Sequence, residues 1–290
     1  MSSSGYLLFA LVFWLGAWAF NEWLVRQTFS GKTLNRIAWI TVPLIFGIAL
    51  MVIWEGLVRG LDISPILLPA PSVIWAKIVN ALPTLWNDFR QTILKAVLAG
   101  YAMGCGAGFV VAILIDRSRF LKNGLLPLGN FVSALPIVGI APIMVMWFGF
   151  DWQSKAAVVV VATFFPMLVN TIQGLAAANQ MERDLMRTYA ASWWQTMVKL
   201  RLPAAWPFIF NALKINSTLA LIGAIVAEFF GAPTVGMGFR ISTEVGRANL
   251  DMVWAEIAVA ALAGSAFYGV VALIQRAVTF WHPSVRSGRA

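Results

Sequence analysis

Residues 92–115 read TILKAVLAGYAMGCGAGFVVAILI, a run of 24 residues with one charged side chain, Lys95. About 20 such residues in a helix cross the ~30 Å hydrocarbon core of a bilayer. Gly100, Gly104 and Gly108 recur at every fourth position, so they share one helical face on which a second backbone can approach closely. This face predicts tight helix packing, either within the chain or between two copies of it.

Six further apolar runs of similar length lie along the chain, near residues 5–25, 37–58, 127–150, 155–176, 205–230 and 252–277. The chain is 60% hydrophobic and only 11% charged, whereas about 25% of the residues in a soluble domain are charged. The sequence therefore predicts an all-α, polytopic membrane helix bundle with about seven transmembrane helices in a lipid bilayer.

The basic residues predict an orientation, because cytoplasmic loops retain Lys and Arg. One set of alternate loops holds thirteen of the 21 basic residues and the other holds six. The thirteen are Arg26, Lys32, Arg36, Arg117, Arg119, Lys122, Arg183, Arg187, Lys199, Arg201, Arg276, Arg286 and Arg289. We expect the N-terminus outside and the C-terminus in the cytoplasm. Because these residues are scattered between apolar runs, the net charge of +9 does not indicate nucleic-acid binding.

Catalytic and metal chemistry have no candidates in the sequence. Cys105 and His282 are the only residues of their types, so thiolate clusters, zinc sites and histidine triads are not expected. Gly31-Lys32-Thr33 resembles the end of a phosphate-binding loop, but Arg26 occupies the place of its first glycine. We expect no cofactor, no metal, no nucleotide site and no enzymatic activity.

Two kinds of segment carry functional predictions. Pro136 and Pro142 interrupt one apolar run and Pro166 another, and broken helices in lipid either line a pathway or are simple kinks. Residues 180–203 place charged and apolar side chains at helical spacing, which predicts an amphipathic helical hairpin on the cytoplasmic face.

That hairpin resembles the EAA loop of ATP-binding-cassette (ABC) importer permeases, whose pattern is E-A-A, three residues, G, nine residues and I-x-L-P. This chain has Asp184-Leu185-Met186, then Ala190, then Leu200-Arg201-Leu202-Pro203 at the same spacing. Asp replaces Glu, Leu-Met replaces Ala-Ala, and Ala190 replaces Gly. Ala191 and Ser192 fit the usual surroundings.

The resemblance extends from about residue 68 to 280 and is closest to the nitrate, sulfonate and taurine importer group. Further matching stretches are Leu68-Pro69-Ala70-Pro71-Ser72, Trp147-Phe148-Gly149, Phe164-Phe165-Pro166 with Asn170, and Glu228 before Gly236-Met237-Gly238. Together with the broken spans, they give the predicted pathway-lining residues Pro136, Pro142, Phe165, Pro166, Asn170 and Glu228.

The resemblance implies a six-helix permease core plus one added N-terminal helix. The expected organisation is residues 1–60 with helices 5–25 and 37–58, a periplasmic segment 61–91, a permease core 92–280 with coupling loop 182–203, and a cytoplasmic tail 281–290. The coupling residues would be Asp184, Arg187, Ala190, Ala191, Ser192, Leu200, Leu202 and Pro203, with Pro203 setting the angle between the hairpin and the next span.

The resemblance also implies a bacterial inner-membrane subunit that imports a small solute. Its partners would be a cytoplasmic ATPase, a periplasmic substrate-binding protein and a second copy of the permease. Small anions such as sulfonates, taurine or nitrate are the first expectation for the substrate, and a pyrimidine-type vitamin precursor or another small heterocycle is the alternative. A secondary transporter acting alone would need coupling-ion groups at mid-membrane, of which the sequence has few, and a non-transporting scaffold would not need proline-broken spans.

Overall fold

The computed structural model describes residues 2–27, 31–118, 135–231 and 234–281, with single positions between them at 120, 121, 124, 127 and 129. Much of the first half of the predicted span 127–150 lies outside the described residues, as does the predicted tail after residue 281. His282, Arg119, Lys122, Arg286 and Arg289 also lie outside them.

All regular structure in the described ranges is helical, and six helices are long and apolar enough to cross a bilayer. They are α1 (Ser3–Arg26), α2 (Lys32–Gly60), α4 (Leu82–Asp116), α6 (Trp152–Ala176), α8 (Trp193–Glu228) and α10 (Leu250–Val278). The predicted all-α, polytopic helix bundle is confirmed. Six of the seven predicted spans coincide with these helices over most of their length.

Shorter helices connect the long ones within the described ranges. They are α3 (Pro71–Asn80), α5 (Ile137–Phe148), α7 (Gln180–Thr188) and α9 (Met237–Gly246). The remaining predicted span, 127–150, is represented by α5, whose 12 residues extend about 18 Å at 1.5 Å per residue. This length is shorter than the ~30 Å hydrocarbon core, so the count of seven spans stays a prediction.

Two long helices begin earlier than the hydropathy indicates. Helix α4 starts at Leu82 and not near residue 92, so part of the segment expected to lie outside the membrane is the first turns of a long helix. Helix α8 starts at Trp193 and runs through Pro203 without a break. The π-helical segment Met197–Arg201 directly before Pro203 widens the turn that the proline ring would otherwise obstruct, so the helix continues through Pro203. The angle predicted at Pro203 stays a prediction.

The chain divides into two compact units, Met1–Leu82 with Thr243–Ile257, and Pro83–Ser242 with Ala258–Ala290. In the first unit α1 packs against α2. A Cβ atom added at Gly60 would lie 2.5 Å from Cγ of Leu7, so the two backbones approach each other closely there. The amide of Asn21 donates a hydrogen bond to the carbonyl of Val42 at 3.2 Å. Small residues and interhelical hydrogen bonds of this kind hold helices together in lipid.

The second unit is built around α4, α6 and α8. The glycine face of α4 lies against α6, since a Cβ at Gly100 would lie 2.6 Å from Cβ of Val159 and one at Gly108 would lie 2.5 Å from the carbonyl oxygen of Phe164. Ile93, Val97, Val159, Ala220, Ala224 and Met237 form one buried cluster in this unit. These contacts fix the relative register of the helices that carry the functional residues.

Candidate functional site

Two helix N-termini define the hairpin formed by α7 and the start of α8. Asn179 caps α7, and the carboxylate of Glu182 accepts a hydrogen bond from the backbone N–H of Asn179 at 3.1 Å. Ser192 caps α8, and the side chain of Gln195 accepts a hydrogen bond from the backbone N–H of Ser192 at 2.7 Å. Both are capping boxes, which satisfy backbone donors that a helix start leaves without partners. The sequence therefore fixes where each helix of the hairpin begins.

The turn between these helices is a Schellman motif. The N–H of Ala191 donates to the carbonyl of Met186 at 2.9 Å, and that of Ala190 donates to the carbonyl of Arg187 at 2.9 Å. Ala190 has a φ of 53°, in the left-handed region where glycine is usual. The position at which the EAA pattern has glycine is therefore the position that needs a positive φ.

Large apolar side chains project from α7 into the surroundings. Met181, Leu185 and Tyr189 are 79%, 54% and 76% exposed and follow one another at four-residue spacing on one helical face. Next to them, Asp184 and Arg187 form an exposed ion pair at 3.1 Å. An apolar stripe with charges beside it is typical of a surface that binds another protein. We call this surface, residues 181–189, the α7 face.

The other predicted coupling residues lie around this face. Ala190, Ala191 and Ser192 form the turn. Leu200, Leu202 and Pro203 are half-buried and lie within α8 itself.

Two arginines join the hairpin to the neighbouring helix ends. The guanidinium of Arg201 forms a bidentate ion pair with Asp116, the last residue of α4, with Nη2 2.8 Å from Oδ1. Its Nε also donates to the carbonyl of Leu175 in the last turn of α6 at 3.0 Å. From α7, Arg183 donates to the carbonyls of Ala176 and Ala178.

Arg201 was named in the charge count and within the Leu200–Pro203 part of the EAA-type pattern, but no role was predicted for it, and Asp116 was not selected. A carboxylate that ends an apolar run was the available signal for Asp116.

The predicted pathway-lining residues do not converge on one point. Pro136 precedes α5 and Pro142 lies within it, and both are exposed. Phe165, Pro166 and Asn170 are half-buried in the second half of α6, where the Asn170 amide donates to the Pro166 carbonyl at 2.8 Å. Glu228 ends α8 at the opposite end of the unit from the hairpin.

A buried polar cluster surrounds Glu228, which is 2% exposed. Its carboxylate accepts hydrogen bonds from the hydroxyl of Thr92 at 2.8 Å and from the N–H of Gly238 at 2.7 Å. The same hydroxyl oxygen accepts a hydrogen bond from the N–H of Met237 at 2.8 Å. The π-helical segment Arg90–Val97 of α4 contains Thr92, and such segments are frequent at functional sites.

Asp88 holds the other side of the same turn. It is fully buried and accepts from the N–H of Gly236 at 2.7 Å and from Nε of Arg240 at 2.9 Å. Gly236 has a φ of 141°, and a Cβ there would lie 2.8 Å from the carboxyl carbon of Glu228. Two buried carboxylates and one glycine thus fix the start of α9. Glu228 was among the predicted pathway residues, whereas Asp88, whose partners are more than 140 residues away, was not predicted.

Lys155 of α6 lies at the same end of the unit as the Glu228 cluster and connects two chain segments there. It is buried, and its Nζ donates to the carbonyls of Phe150, at 2.6 Å, and Gly231. A buried ammonium needs such partners, because removing it from water is costly. By binding both carbonyls, Lys155 holds the segment before α6 close to the segment after α8.

A polar pocket lies beside this region, lined by Asn87, Arg90, Gln91, Lys95, Asp151 and Val235. The amide of Gln91 donates to Asp151 at 2.7 Å, and the ammonium of Lys95 donates to the amide oxygen of Gln91 at 3.0 Å. The pKa of Asp151 lies below its usual value, because the Gln91 amide and the Trp152 backbone N–H donate hydrogen bonds to its carboxylate. With two basic residues and one acid, the pocket wall carries net positive charge.

Known proteins resemble the chain over most of its length. Residues 100–280 match the family described as "Binding-protein-dependent transport system inner membrane component". The formylaminopyrimidine transport permease protein ThiX of Halalkalibacterium halodurans is 30% identical over 239 residues, which cover 82% of this chain and 95% of that protein.

Two relatives named for sulfonate compounds are slightly more distant. The putative aliphatic sulfonates transport permease protein SsuC of Bacillus subtilis is 27% identical over 86% of this chain and 90% of its own length. The taurine transport system permease protein TauC of Escherichia coli is 27% identical over 82% of this chain and 88% of its own length.

Proposed function

The chain belongs to the family of binding-protein-dependent transport system inner membrane components, and on this premise we propose that it couples ATP hydrolysis on a separate subunit to solute import through residues 182–203. Members of this family are transport subunits of ABC importers, so the chain is a multi-pass inner-membrane permease and not an enzyme. The family implies an ATPase and a periplasmic binding protein as partners.

The exposed α7 face supports the coupling role. Met181, Leu185 and Tyr189 offer apolar area at helical spacing, and the capping boxes with the Schellman turn hold this face in one shape. A preformed apolar surface binds a partner without first having to be ordered. We propose that the ATPase subunit binds here and that closure of two ATPase subunits draws together the hairpins of two permease copies in a homodimer.

Purification of the chain from its own membrane tests this role. The expected result is co-purification of an ATPase, with loss of the ATPase when Leu185 and Tyr189 are both replaced by Asp. Replacement of Trp39, a highly exposed apolar residue of the first unit, by Asn is the matched control and should leave the association unchanged. Retention of the ATPase by the Leu185 and Tyr189 variant would contradict docking at this face.

A second test separates docking from coupling. Ala190→Trp should leave membrane insertion intact but uncouple ATP hydrolysis from uptake, because a bulky residue at the left-handed turn position distorts the hairpin. The measurement is solute uptake and ATP hydrolysis by the complete importer in liposomes. Normal uptake in this variant would count against the proposal.

The proposed orientation places the N-terminus outside and the hairpin in the cytoplasm, as the thirteen-to-six distribution of basic residues favours. Single cysteines at Met181 and at Arg247, introduced after replacement of Cys105, test it with a membrane-impermeant thiol reagent on intact spheroplasts. We expect labelling at position 247 and none at position 181. The reverse pattern would overturn the orientation.

A small anion is our first proposal for the substrate. The polar pocket with Arg90 and Lys95 favours negative charge, and two relatives are named for sulfonates or taurine. A pyrimidine-type vitamin precursor is the second candidate, because ThiX is named for formylaminopyrimidine and is 30% identical to this chain.

Ligand screening of the co-purified binding protein distinguishes the two substrate classes. For an anion, uptake should fall in the Arg90→Gln and Lys95→Gln variants, whereas import of a neutral heterocycle should not depend on these charges.

A further inference from the structure

We propose that Arg201 is a positioning residue for energy coupling, and that its ion pair with Asp116 makes the hairpin and the adjoining ends of α4 and α6 move as one body. This inference rests on the proposed coupling role of residues 182–203 and adds the residues that connect this hairpin to the membrane helices.

The contacts of Arg201 connect three helices at one point. It belongs to the π-helical segment of α8, forms a bidentate ion pair with Asp116 at the end of α4, and donates to the Leu175 carbonyl at the end of α6. The side chains of Arg201 and Asp116 are only 14% and 6% exposed. A planar guanidinium can make such a bidentate pair and a further hydrogen bond at the same time, whereas an ammonium cannot reproduce that geometry.

Burial separates this pair from the ordinary ion pairs of the surface. Exposed pairs such as Glu22 with Arg26 contribute little, because water and salt screen them. Removing one partner of a shielded pair leaves a charge without compensation in a region of low dielectric constant. The Arg201–Asp116 pair therefore resists separation of the hairpin from α4.

Arg183 completes the connection from the other arm of the hairpin. Its guanidinium donates to the carbonyl of Ala176, the last residue of α6, and to that of Ala178, two residues beyond it. These carbonyls carry the negative end of the helix dipole, so a cation is favoured there. Both arms of the hairpin are thus tied to the end of α6, and Arg201 also forms the ion pair with Asp116 at the end of α4.

A displacement of the α7 face is then transmitted directly to the ends of α4 and α6. Without the arginine contacts, the hairpin would be held by its covalent connections and by the apolar packing of Met197 and Trp193. It could then tilt more easily against the bundle, and ATPase closure would produce that tilt and not a movement of the membrane helices. With the Arg201 contacts in place, a displacement of α7 displaces the ends of α4 and α6 by a similar amount. Loss of the ion pair should therefore leave ATP hydrolysis in place and reduce the uptake that it drives.

The test uses the complete importer, with ATPase and binding protein, in liposomes, and measures ATP hydrolysed per solute imported. In Asp116→Asn and Arg201→Gln we expect this ratio to rise at least about fivefold, the scale of a typical coupling free energy between sites. The amount of co-purified ATPase should stay unchanged. Arg26→Gln, which breaks an exposed pair on α1, is the matched control and should leave the ratio unchanged.

Two further variants distinguish a loss of coupling from a loss of folding. Arg201→Lys keeps a cation beside Asp116 but loses the bidentate geometry, and should raise the ratio about two- to threefold. Exchange of the two charges, Asp116→Arg with Arg201→Asp, restores an ion pair and should lower the ratio relative to either single variant. A ratio in the exchanged protein equal to that of the single variants would overturn the inference, as would a normal ratio in Asp116→Asn and Arg201→Gln.

Ala190→Trp separates this inference from the proposed function. If Ala190→Trp raises the ratio and the Arg201 variants do not, the hairpin couples but Arg201 does not position it. If neither raises the ratio, the coupling role of the hairpin fails, and the role of Arg201 fails with it.

Discussion

Replacement of Ala190 by glycine should make the hairpin more stable. Ala190 has a φ of 53°, and holding a non-glycine residue in the left-handed region costs roughly 1–2 kcal/mol. Glycine removes this cost, but its greater conformational freedom in the opened state offsets about 0.4–1 kcal/mol of the stabilisation gained. The net gain is therefore about 0.5–1 kcal/mol, since the backbone hydrogen bonds of the Schellman motif are retained.

Amide hydrogen exchange of the reconstituted protein measures this local stability. A gain of that size slows exchange of the N–H groups of residues 190 and 191, corrected for intrinsic rates, about two- to fivefold. Ala191→Gly is the matched control, because Ala191 has no positive φ and glycine there only adds freedom to the opened state. Faster exchange in Ala190→Gly, in parallel with Ala191→Gly, would refute the reasoning about strain.

Three further outcomes follow from the described contacts. Gly104→Leu should sharply lower the yield of folded protein in detergent chromatography, because its side chain would enter the backbone of α6, whereas Gly106→Ala faces open space and should be tolerated. Glu228→Gln should lower the free energy of unfolding by about 1–3 kcal/mol in thermal melts, because the carboxylate accepts two buried hydrogen bonds, from Thr92 and Gly238, and an amide has only one acceptor oxygen. The low pKa of Asp151 stabilises the fold above the unfolded value of about 4, and this contribution is lost as the pH falls through the folded pKa. Thermal melts between neutral pH and pH 3 should therefore show a smaller acid loss in Asp151→Asn than in the unchanged protein.

Local patterns carried the prediction of an all-α, polytopic helix bundle, which the structure confirms. Spans are visible in the sequence because lipid requires about 20 consecutive apolar residues, whatever the neighbouring helices do. The hairpin helices have start signals of their own, Asn179 with Glu182 and Ser192 with Gln195, that lie three residues apart. Features whose causes lie within one or two turns of chain could thus be predicted from the sequence.

Long-range polar pairs escaped prediction. Arg201 and Asp116 are 85 residues apart, and Asp88 and Arg240 are 152 residues apart. Neither member of such a pair shows in the sequence which partner it will meet, because the pairing depends on the order in which helices pack. The early helix starts at Leu82 and Trp193 have a similar cause, since polar residues inside α4 and α8 become acceptable only when the packed neighbours bind them.

The close packing inside the second unit limits how its two polar ends can communicate. The glycine face of α4 admits the backbone of α6, and a Cβ at Gly174 of α6 would lie 2.9 Å from Cβ of Ala205 in α8. Sliding one of these helices along another by even one residue, about 1.5 Å, would drive side chains into the facing backbone. We therefore expect these helices to move together, so that a displacement of the hairpin would reach the Glu228 cluster at the far end as a motion of the whole body. We propose that alternating access in this permease is a motion of the α4–α6–α8 body, in which the buried carboxylates Asp88 and Glu228 keep the start of α9 attached.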